Sequence, residues 1–432
     1  MRKKILAMIL AGGRGDELSV LTQMRPKAAV PFGGLYRVID FPMSNLMHSG
    51  IENVGILSQY RSHSLINHIG NGASWEMVGR ERSVTILPPF KQHLSSEWYR
   101  GSADAVYQNL GFIRVHHPDL VLVLSGDHVY SMNYNPLIDF HLEHHADLTI
   151  AFTQTERAQA SRFGLGRLDL AAGRRGGRLL EYLEKPETPP DWPEERYWAS
   201  LTIYLFSTKV LAEVLEQHLS GDPRGFEFGR HIIPELVKSH RVYGYCNEGY
   251  WGYTRTIDEY WQTSMDMLGE HPRIDPEKWQ VRTNLAHDAV RDRPPAHLGS
   301  TAQIENSLIY SGCRIHGTVK NSILFPGVEI GENVLVEDSI LMFDTRVAAG
   351  CRLHKVIADS EACLAAECEI GHGDPTLANE EYPRLLRSGI TLIGRGAHVP
   401  ERCRIGSNCI VHPGLTPARF RQRRYESGVS IS

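Results

Sequence analysis

A glycine-rich turn near the start of the chain is the first place where residue types could do chemistry. Leu10-Ala11-Gly12-Gly13-Arg14-Gly15 runs directly out of an apolar stretch that begins at Ile5. Without Cβ atoms, glycines let the chain turn tightly and bring backbone N–H groups against an anionic ligand. Many glycine loops are merely turns, so the loop alone says little. The residues that follow are far more specific: Leu21-Thr22-Gln23-Met24-Arg25-Pro26-Lys27-Ala28-Ala29-Val30-Pro31-Phe32-Gly33-Gly34, then Tyr36-Arg37-Val38-Ile39-Asp40-Phe41-Pro42-Met43-Ser44-Asn45.

Loop and extension together resemble the nucleotide-binding signature of sugar-nucleotide pyrophosphorylases, GGxGxRLxxLTxxRxKPxVP. The continuation from Tyr36 narrows the resemblance to the ADP-glucose branch. Further blocks are similar to that branch, in order. Gln59-Tyr60-Arg61-Ser62-His63-Ser64-Leu65 resembles its adenine-side segment, and Trp98-Tyr99-Arg100-Gly101-Ser102-Ala103-Asp104-Ala105 its WYRGTADA block. Gly126-Asp127-His128-Val129-Tyr130 resembles GDHIY, while Phe163-Gly164, Glu184-Lys185-Pro186 and Ala199-Ser200 resemble pieces that line a glucose 1-phosphate pocket. On these motifs the chain is identified as a member of the ADP-glucose pyrophosphorylase (glucose-1-phosphate adenylyltransferase) family, of the bacterial glycogen-synthesis type.

The resemblance implies a reaction of ATP with α-D-glucose 1-phosphate to give ADP-glucose and diphosphate. It makes Lys27 and Asp127 the catalytic pair, with Asp127 on a Mg²⁺ ion. Leu10, Ala11, Gly12, Gly13, Gly15, Gln59, Gly101 and Asp104 fall on the nucleotide side; Tyr99, Gly164, Glu184, Lys185 and Ser200 on the sugar-phosphate side. A sugar phosphate with a second pKa near about 6 is already anionic at neutral pH. Catalysis then needs no general base, only positioning and charge neutralisation. Family members are usually tetramers controlled by anionic metabolites, and Arg25 and Arg37 match positions that contact such anions in bacterial relatives. Met24 and Pro31 stand where a lysine and a histidine are often found, which leaves the effector open. Read without the resemblance, Asp127 could cap a helix, Lys27 stand on the surface, Tyr99 pack in a core, and the two arginines form structural salt bridges.

The chain departs from the family in two places. Where an arginine follows GGxGx, it has Gly15-Asp16-Glu17-Leu18. An anion beside phosphate is not a neutral change: like charges about 4 Å apart cost about 4 kcal/mol at an effective dielectric near 20. The second departure is Tyr250-Trp251-Gly252-Tyr253-Thr254-Arg255-Thr256, where the family has YWxDVGT and a second magnesium-binding aspartate. Tyr253 takes the aspartate's place and Arg255 the glycine's; a neutral phenol is a poor ligand for a hard cation. One reading is a rewired enzyme, with Glu17 or Asp16 moving a carboxylate into the metal shell and Arg255 supplying the missing positive charge. Another is a non-catalytic regulatory subunit of a hetero-oligomer. A third is a sugar nucleotidyltransferase for another nucleotide, because Pro26 and Ala28 reverse the usual order around the lysine.

The elements that must hold these residues follow from patterning. Ile5–Leu10, Asn53–Leu57, Leu120–Leu124 and Leu148–Phe152 read as buried strands, while Asn109–His116 and Val210–His218 carry apolar residues at helical spacing. Alternation of the two predicts an α/β, Rossmann-like domain over residues 1–269, with a mostly parallel sheet covered on both faces. Residues 270–302, with His271-Pro272, Asp275-Pro276 and Pro294-Pro295, read as a linker over the surface. From about 303 the apolar residues Ile304, Ile309, Ile315, Ile323, Val328, Val334, Ile340, Val347 and Leu353 recur every five to eight positions. That spacing suits a parallel β-helix, left-handed in the family, expected over 303–415 with a loop at Gly373–Ser388. Residues 416–432, with Arg419, Arg421, Arg423 and Arg424, read as a solvated basic tail.

Bulk properties exclude several classes. A net charge of −4 over 432 residues gives no pull toward nucleic acid or anionic membrane. The seven cysteines form no CxxC pair, and the six after residue 300 read as small core residues. Arg2-Lys3-Lys4 before the apolar run imitates a signal peptide, but glycines follow in place of a cleavage site. No stretch nears the roughly 20 apolar residues of a membrane span, and the expected location is the cytoplasm.

Overall fold

Runs of branched and leucine side chains form a nine-stranded sheet in the N-terminal half of this computed structural model. The structure describes residues 3–89, 98–170, 175–192, 196–221, 226–287 and 289–432, with Arg2 outside them. The strands are β1 (Ile5–Leu10), β2 (Asn53–Leu57), β3 (Ser83–Leu87), β4 (Leu120–Ser125) and β5 (Leu148–Thr155), then β6 (Gly164–Asp169), β7 (Gly176–Glu184), β8 (Tyr197–Ser207) and β9 (Val242–Cys246). Their spatial order is β3-β2-β1-β4-β8-β5-β9-β7-β6. Strands β3, β2, β1 and β4 pair in parallel. Only β8 and β7 run against the rest, β8 wedged between β4 and β5, β7 between β9 and β6.

Central strands read as continuous apolar runs because each face of the sheet is covered. Alternate residues of β1 enter different cores: Leu6 and Met8 join one, Ala7 and Ile9 the other. Helices Ser102–Gln108, Leu110–His116 and Thr208–Gly221 close the first face through Val106, Ile113, Leu211 and Leu215. Helices Asp40–His48, His63–Ile69 and Asn135–Glu143 close the second through Met43, Leu46, Leu65 and Leu137.

The C-terminal half is the expected β-helix. Strands of two or three residues stack in parallel into three sheets, so that Ile315 lies on Ile330 and Ile330 on Val347. Its bounds are wider than the spacing of apolar residues predicts. His297–Leu298, inside the expected linker, already pairs with Arg314–Ile315. At the other end the expected basic tail makes the last coil: Arg424–Tyr425 pairs with Arg404–Ile405, and Ser430–Ile431 with Ile410–Val411. Tyr425 and Ile431 are buried there and cover the open end of the core, while the four arginines remain exposed. Cys313, Cys351, Cys368, Cys403 and Cys409 lie in that core as expected, and Cys363 is half-buried.

The two halves share a further core, in which Phe32, Phe41 and Tyr260 meet Ile323, Phe325, Ile340 and Ile357. Gly34, at φ +93, lies so close to the Tyr310 ring that a Cβ would fall 1.8 Å from it, and the Tyr310 hydroxyl donates to the Gly33 carbonyl at 2.5 Å. The segment holding Lys27 is thereby fixed from both domains. Among the described residues no helix is long and apolar enough to cross a membrane.

Candidate active site

Parallel pairing of β1 with β4 sets Leu10 beside Ser125. The glycine loop and Asp127 therefore leave the sheet side by side at its carboxyl edge, where open α/β sheets bind ligands. Lys27 opens a single 3₁₀ turn, Lys27–Ala29, immediately after Pro26. The reversed proline and alanine do not turn the lysine away, since its Nζ lies 3.3 Å from Asp127 Oδ2. Gly15, at φ +68, permits this: a Cβ there would press on Lys27 Cβ at 3.2 Å. The Ser125 hydroxyl donates to Asp127 Oδ1, and the Thr254 hydroxyl donates to the Asp127 carbonyl at 2.7 Å. Arg255 Nε stands 3.8 Å from the same Oδ2 that Lys27 approaches.

The electrostatics follow from this crowding. Burial alone would raise the Asp127 carboxyl, but the neighbouring His128, Lys27 and Arg255 together hold it well below the usual carboxylate range. It is an anion at every working pH. Burial pushes the Lys27 ammonium below its ordinary value, against the pull of Asp127. His128 is driven down to about 4 by burial and is neutral near pH 7. Tyr253, its phenol pushed up by burial, is neutral too. Its ring stacks on His128 with centroids 5.0 Å apart and planes at 21°, while the Arg255 guanidinium carbon lies 4.8 Å from its centroid.

On one side of this centre is a cleft of about 260 Å³ whose lining includes Leu10, Gly12, Gly13, Gln59, Gly101 and Asp127. Ala11 is buried beside it and donates its N–H to the Leu57 carbonyl. Several expected contact residues build the wall instead. The Gln59 amide is engaged at both ends by the backbone of Tyr99, accepting from its N–H at 2.6 Å and donating to its carbonyl at 3.4 Å. Tyr99 itself is buried, its hydroxyl donating to the Leu87 carbonyl and accepting from Asn109. It lines this cleft. Asp104, fully buried, accepts from the Arg100 N–H, the Arg100 guanidinium and Gln108. It holds the start of its helix rather than facing a ligand.

On the other side Gly164, Glu184, Lys185 and Ser200 come together where β6, β7 and β8 meet. Glu184 accepts from the Tyr182 hydroxyl at 2.9 Å. A Cβ on Gly164 would fall 2.0 Å from that hydroxyl and 2.6 Å from Glu184 Oε2, so only glycine fits. Lys185 takes a left-handed φ of 47 and donates its N–H to the Phe163 carbonyl at 3.0 Å, which fixes the bend after β7. Ser200 is buried at an irregularity of β8, where the pairing with β5 shifts before Tyr204.

A Mg²⁺ ion fits this centre in one way. Among the described residues no three His, Cys, Asp or Glu side chains converge as a metal cage. Mg²⁺ is commonly held by one or two carboxylates and completed by substrate phosphates, and Asp127 supplies one ionised carboxylate. Glu17 does not supply a second: it is exposed at the start of its 3₁₀ turn and makes no ion pair among the described residues. Asp16, beside it, is exposed too. Of the residues expected to compensate, Arg255 stands beside Asp127, and Glu17 acts on the Lys27 charge from beyond ion-pair distance. Sequence reasoning missed Ser125, His128 and Thr254 as supports of Asp127. His128 and Thr254 stood in motif blocks, but nothing there announced a stack with Tyr253 or a bond to the Asp127 carbonyl.

Arg25 and Arg37 lie away from the cleft, at the seam between domains. Arg25 Nη2 donates to both oxygens of Asp359, at 2.7 and 2.8 Å, and its buried Nη1 has no partner. Arg37 donates to the Ala29 carbonyl at 2.6 Å; burial and the like charge of Arg25 bring it down to about 10.

Comparison with known proteins agrees with this geometry. The family model described as nucleotidyl transferase matches residues 6–270, and that of the GlmU-like C-terminal hexapeptide matches residues 294–393. A glucose-1-phosphate adenylyltransferase of Acetivibrio thermocellus is 38% identical over 100% of this chain and 98% of its own length. Proteins of the same name from Thermosipho melanesiensis and Desulforamulus reducens are 38% and 35% identical, over 95% and 94% of this chain and 96% and 98% of theirs.

Proposed function

This chain belongs to the glucose-1-phosphate adenylyltransferase family, and from that premise we propose that it makes ADP-glucose and diphosphate from ATP and glucose 1-phosphate, for α-glucan (glycogen) synthesis. The observation that carries this is the Lys27–Asp127 pair at 3.3 Å, with Asp127 lining a glycine-rich cleft.

The glycine loop receives the triphosphate through backbone N–H groups. Glu184, Lys185 and Ser200 orient the sugar phosphate so that one of its anionic oxygens faces the α-phosphorus of ATP. That oxygen forms the new P–O bond while the bond from the α-phosphorus to the bridging oxygen of diphosphate breaks. No proton has to move, because the attacking oxygen is ionised at neutral pH. Lys27 neutralises charge building on the α-phosphate, and its partly desolvated ammonium does so without a shell of water to displace. Asp127 holds Lys27 in place; a Mg²⁺ ion bound there with the nucleotide would spread phosphate charge and ease departure of diphosphate. A cytoplasmic tetramer controlled by an anionic metabolite completes the reading.

Diphosphate release by the purified chain with ATP, Mg²⁺ and glucose 1-phosphate tests this. Turnover is expected, and Lys27→Ala should lower kcat about a hundredfold or more. Silence of the chain alone that ends on mixing with a sister subunit would favour the regulatory role instead. Turnover with UTP or dTTP in preference to ATP would overturn the nucleotide assignment.

A further inference from the structure

We propose that Arg255, seated on the ring of Tyr253, is a built-in cation for substrate phosphate, so that this site binds ATP without a divalent ion. The inference rests on the reading above, that the cleft beside Asp127 receives a nucleotide.

Three observations carry it. First, Tyr253 is not an idle replacement for a carboxylate. Its ring stacks on His128, at 5.0 Å, and also carries the Arg255 guanidinium, at 4.8 Å, a contact that orients a planar cation. Second, the backbone that carries Arg255 is rigid. Its N–H donates to Glu259 at 3.1 Å, and Thr256 and Glu259 close a capping box on helix Ile257–Met265. Thr254, one residue earlier, is tied to the Asp127 carbonyl. Third, two cations meet one carboxylate at close range. Lys27 and Arg255 approach the same oxygen of Asp127, at 3.3 and 3.8 Å, while Glu17 and Glu184 act on them only from beyond ion-pair distance.

The Arg255 contact with Asp127 is too long for a hydrogen bond, so its N–H donors remain available to phosphate oxygens. A guanidinium presents a planar fork that matches phosphate, and such charge-assisted bonds are among the stronger ones in proteins. A divalent ion carries its charge in with each substrate molecule. Here part of that charge belongs to the chain.

Calorimetric titration of the whole protein with ATP, once in Mg²⁺ and once in EDTA, tests the proposal. The wild type should bind ATP in EDTA within about tenfold of its affinity in Mg²⁺. Arg255→Ala should weaken binding in EDTA by about tenfold to a hundredfold, the worth of a charged hydrogen bond, and weaken it less in Mg²⁺. Arg255→Lys should recover part of the loss. Tyr253→Ala should mimic Arg255→Ala and Tyr253→Phe should not, since the ring and not the hydroxyl forms the seat. Parallel titrations with glucose 1-phosphate show which phosphate the guanidinium takes; an effect confined to the sugar phosphate overturns the assignment to ATP. Wild-type protein that takes up ATP only with Mg²⁺, or an Arg255→Ala variant that binds metal-free ATP normally, overturns the inference and leaves the enzyme reading standing. No uptake of ATP in either buffer removes both.

Discussion

Asp359→Ala should destabilise the protein by about 3–5 kcal/mol, the usual cost of leaving one partner of a buried ion pair alone. The carboxylate accepts from Arg25 at 2.7 and 2.8 Å, and the two side chains are only 4% and 1% exposed. At 2.7 Å and an effective dielectric near 20, the gross attraction is about 6 kcal/mol, most of it offset by desolvation of both ions. Removing Asp359 leaves the desolvation of Arg25 in place with nothing to oppose it. Arg37, buried nearby, adds like charge, and Arg25 Nη1 has no other partner to fall back on. Replacing both ions, Arg25→Met with Asp359→Leu, should recover most of the loss. The effect should also reach the active site, because Lys27 stands two residues beyond Arg25 on the same pinned segment. Urea unfolding followed by tryptophan fluorescence, with kcat measured on each variant, reads both. A single variant within about 1 kcal/mol of wild type, or a double variant as damaged as the single, would refute this account of the seam.

Gly164→Ala should raise KM for glucose 1-phosphate at least about tenfold while leaving ATP binding nearly intact, since the new methyl would strike Tyr182 and Glu184 and overpacking typically costs 1–3 kcal/mol; steady-state kinetics with each substrate varied decides it. Deleting residues 416–432 uncovers the β-helix end that Tyr425 and Ile431 close, and at about 1.5–3 kcal/mol per large apolar side chain should lower the melting temperature clearly, whereas a true tail would leave it unchanged. His141, buried against Thr149, is pushed down to about 4 by burial. The unfolded chain, with an ordinary histidine near 6.5, takes up a proton that the fold refuses. Stability is therefore full above pH 6.5 and falls by up to about 3 kcal/mol as pH drops toward 4. His141→Gln should reduce that slope in urea titrations across the range, with His128, also held near 4 by burial, keeping the remainder; an unchanged slope would count against it.

Much of the architecture was legible because burial leaves a local signature. β1 and β2 have the bounds that their apolar runs predict, since strands covered on both faces need apolar residues throughout. Spacing near six announced the β-helix for the same reason, each short strand turning one side chain to the axis. Its true ends were hidden by composition: Arg419 to Arg424 look like a solvated tail, and four arginines outweigh one Tyr425 and one Ile431 to an eye that weighs charge. The reversal of β7 and β8 was equally silent, because a strand's own residues do not state which way its neighbours run.

The motifs placed Lys27, Asp127, Gly164 and Glu184 in one site, but they did not separate residues that face a ligand from those that hold the wall. Gln59, Tyr99 and Asp104 sit in motif blocks as plainly as Lys27 does, yet their polar atoms are engaged by Tyr99, Leu87 and Arg100.

What the sequence alone determined, then, is everything that depends on a residue and its near neighbours along the chain: strand and helix periods, the turn that Gly15 allows, the chemical types gathered for phosphate. Tertiary structure alone decided the partners. Arg25 reaches Asp359 across 334 positions, and Arg255 comes to Asp127. The physical reason is that electrostatics and hydrogen bonding act through space at a few ångströms, and only the folded chain sets those distances.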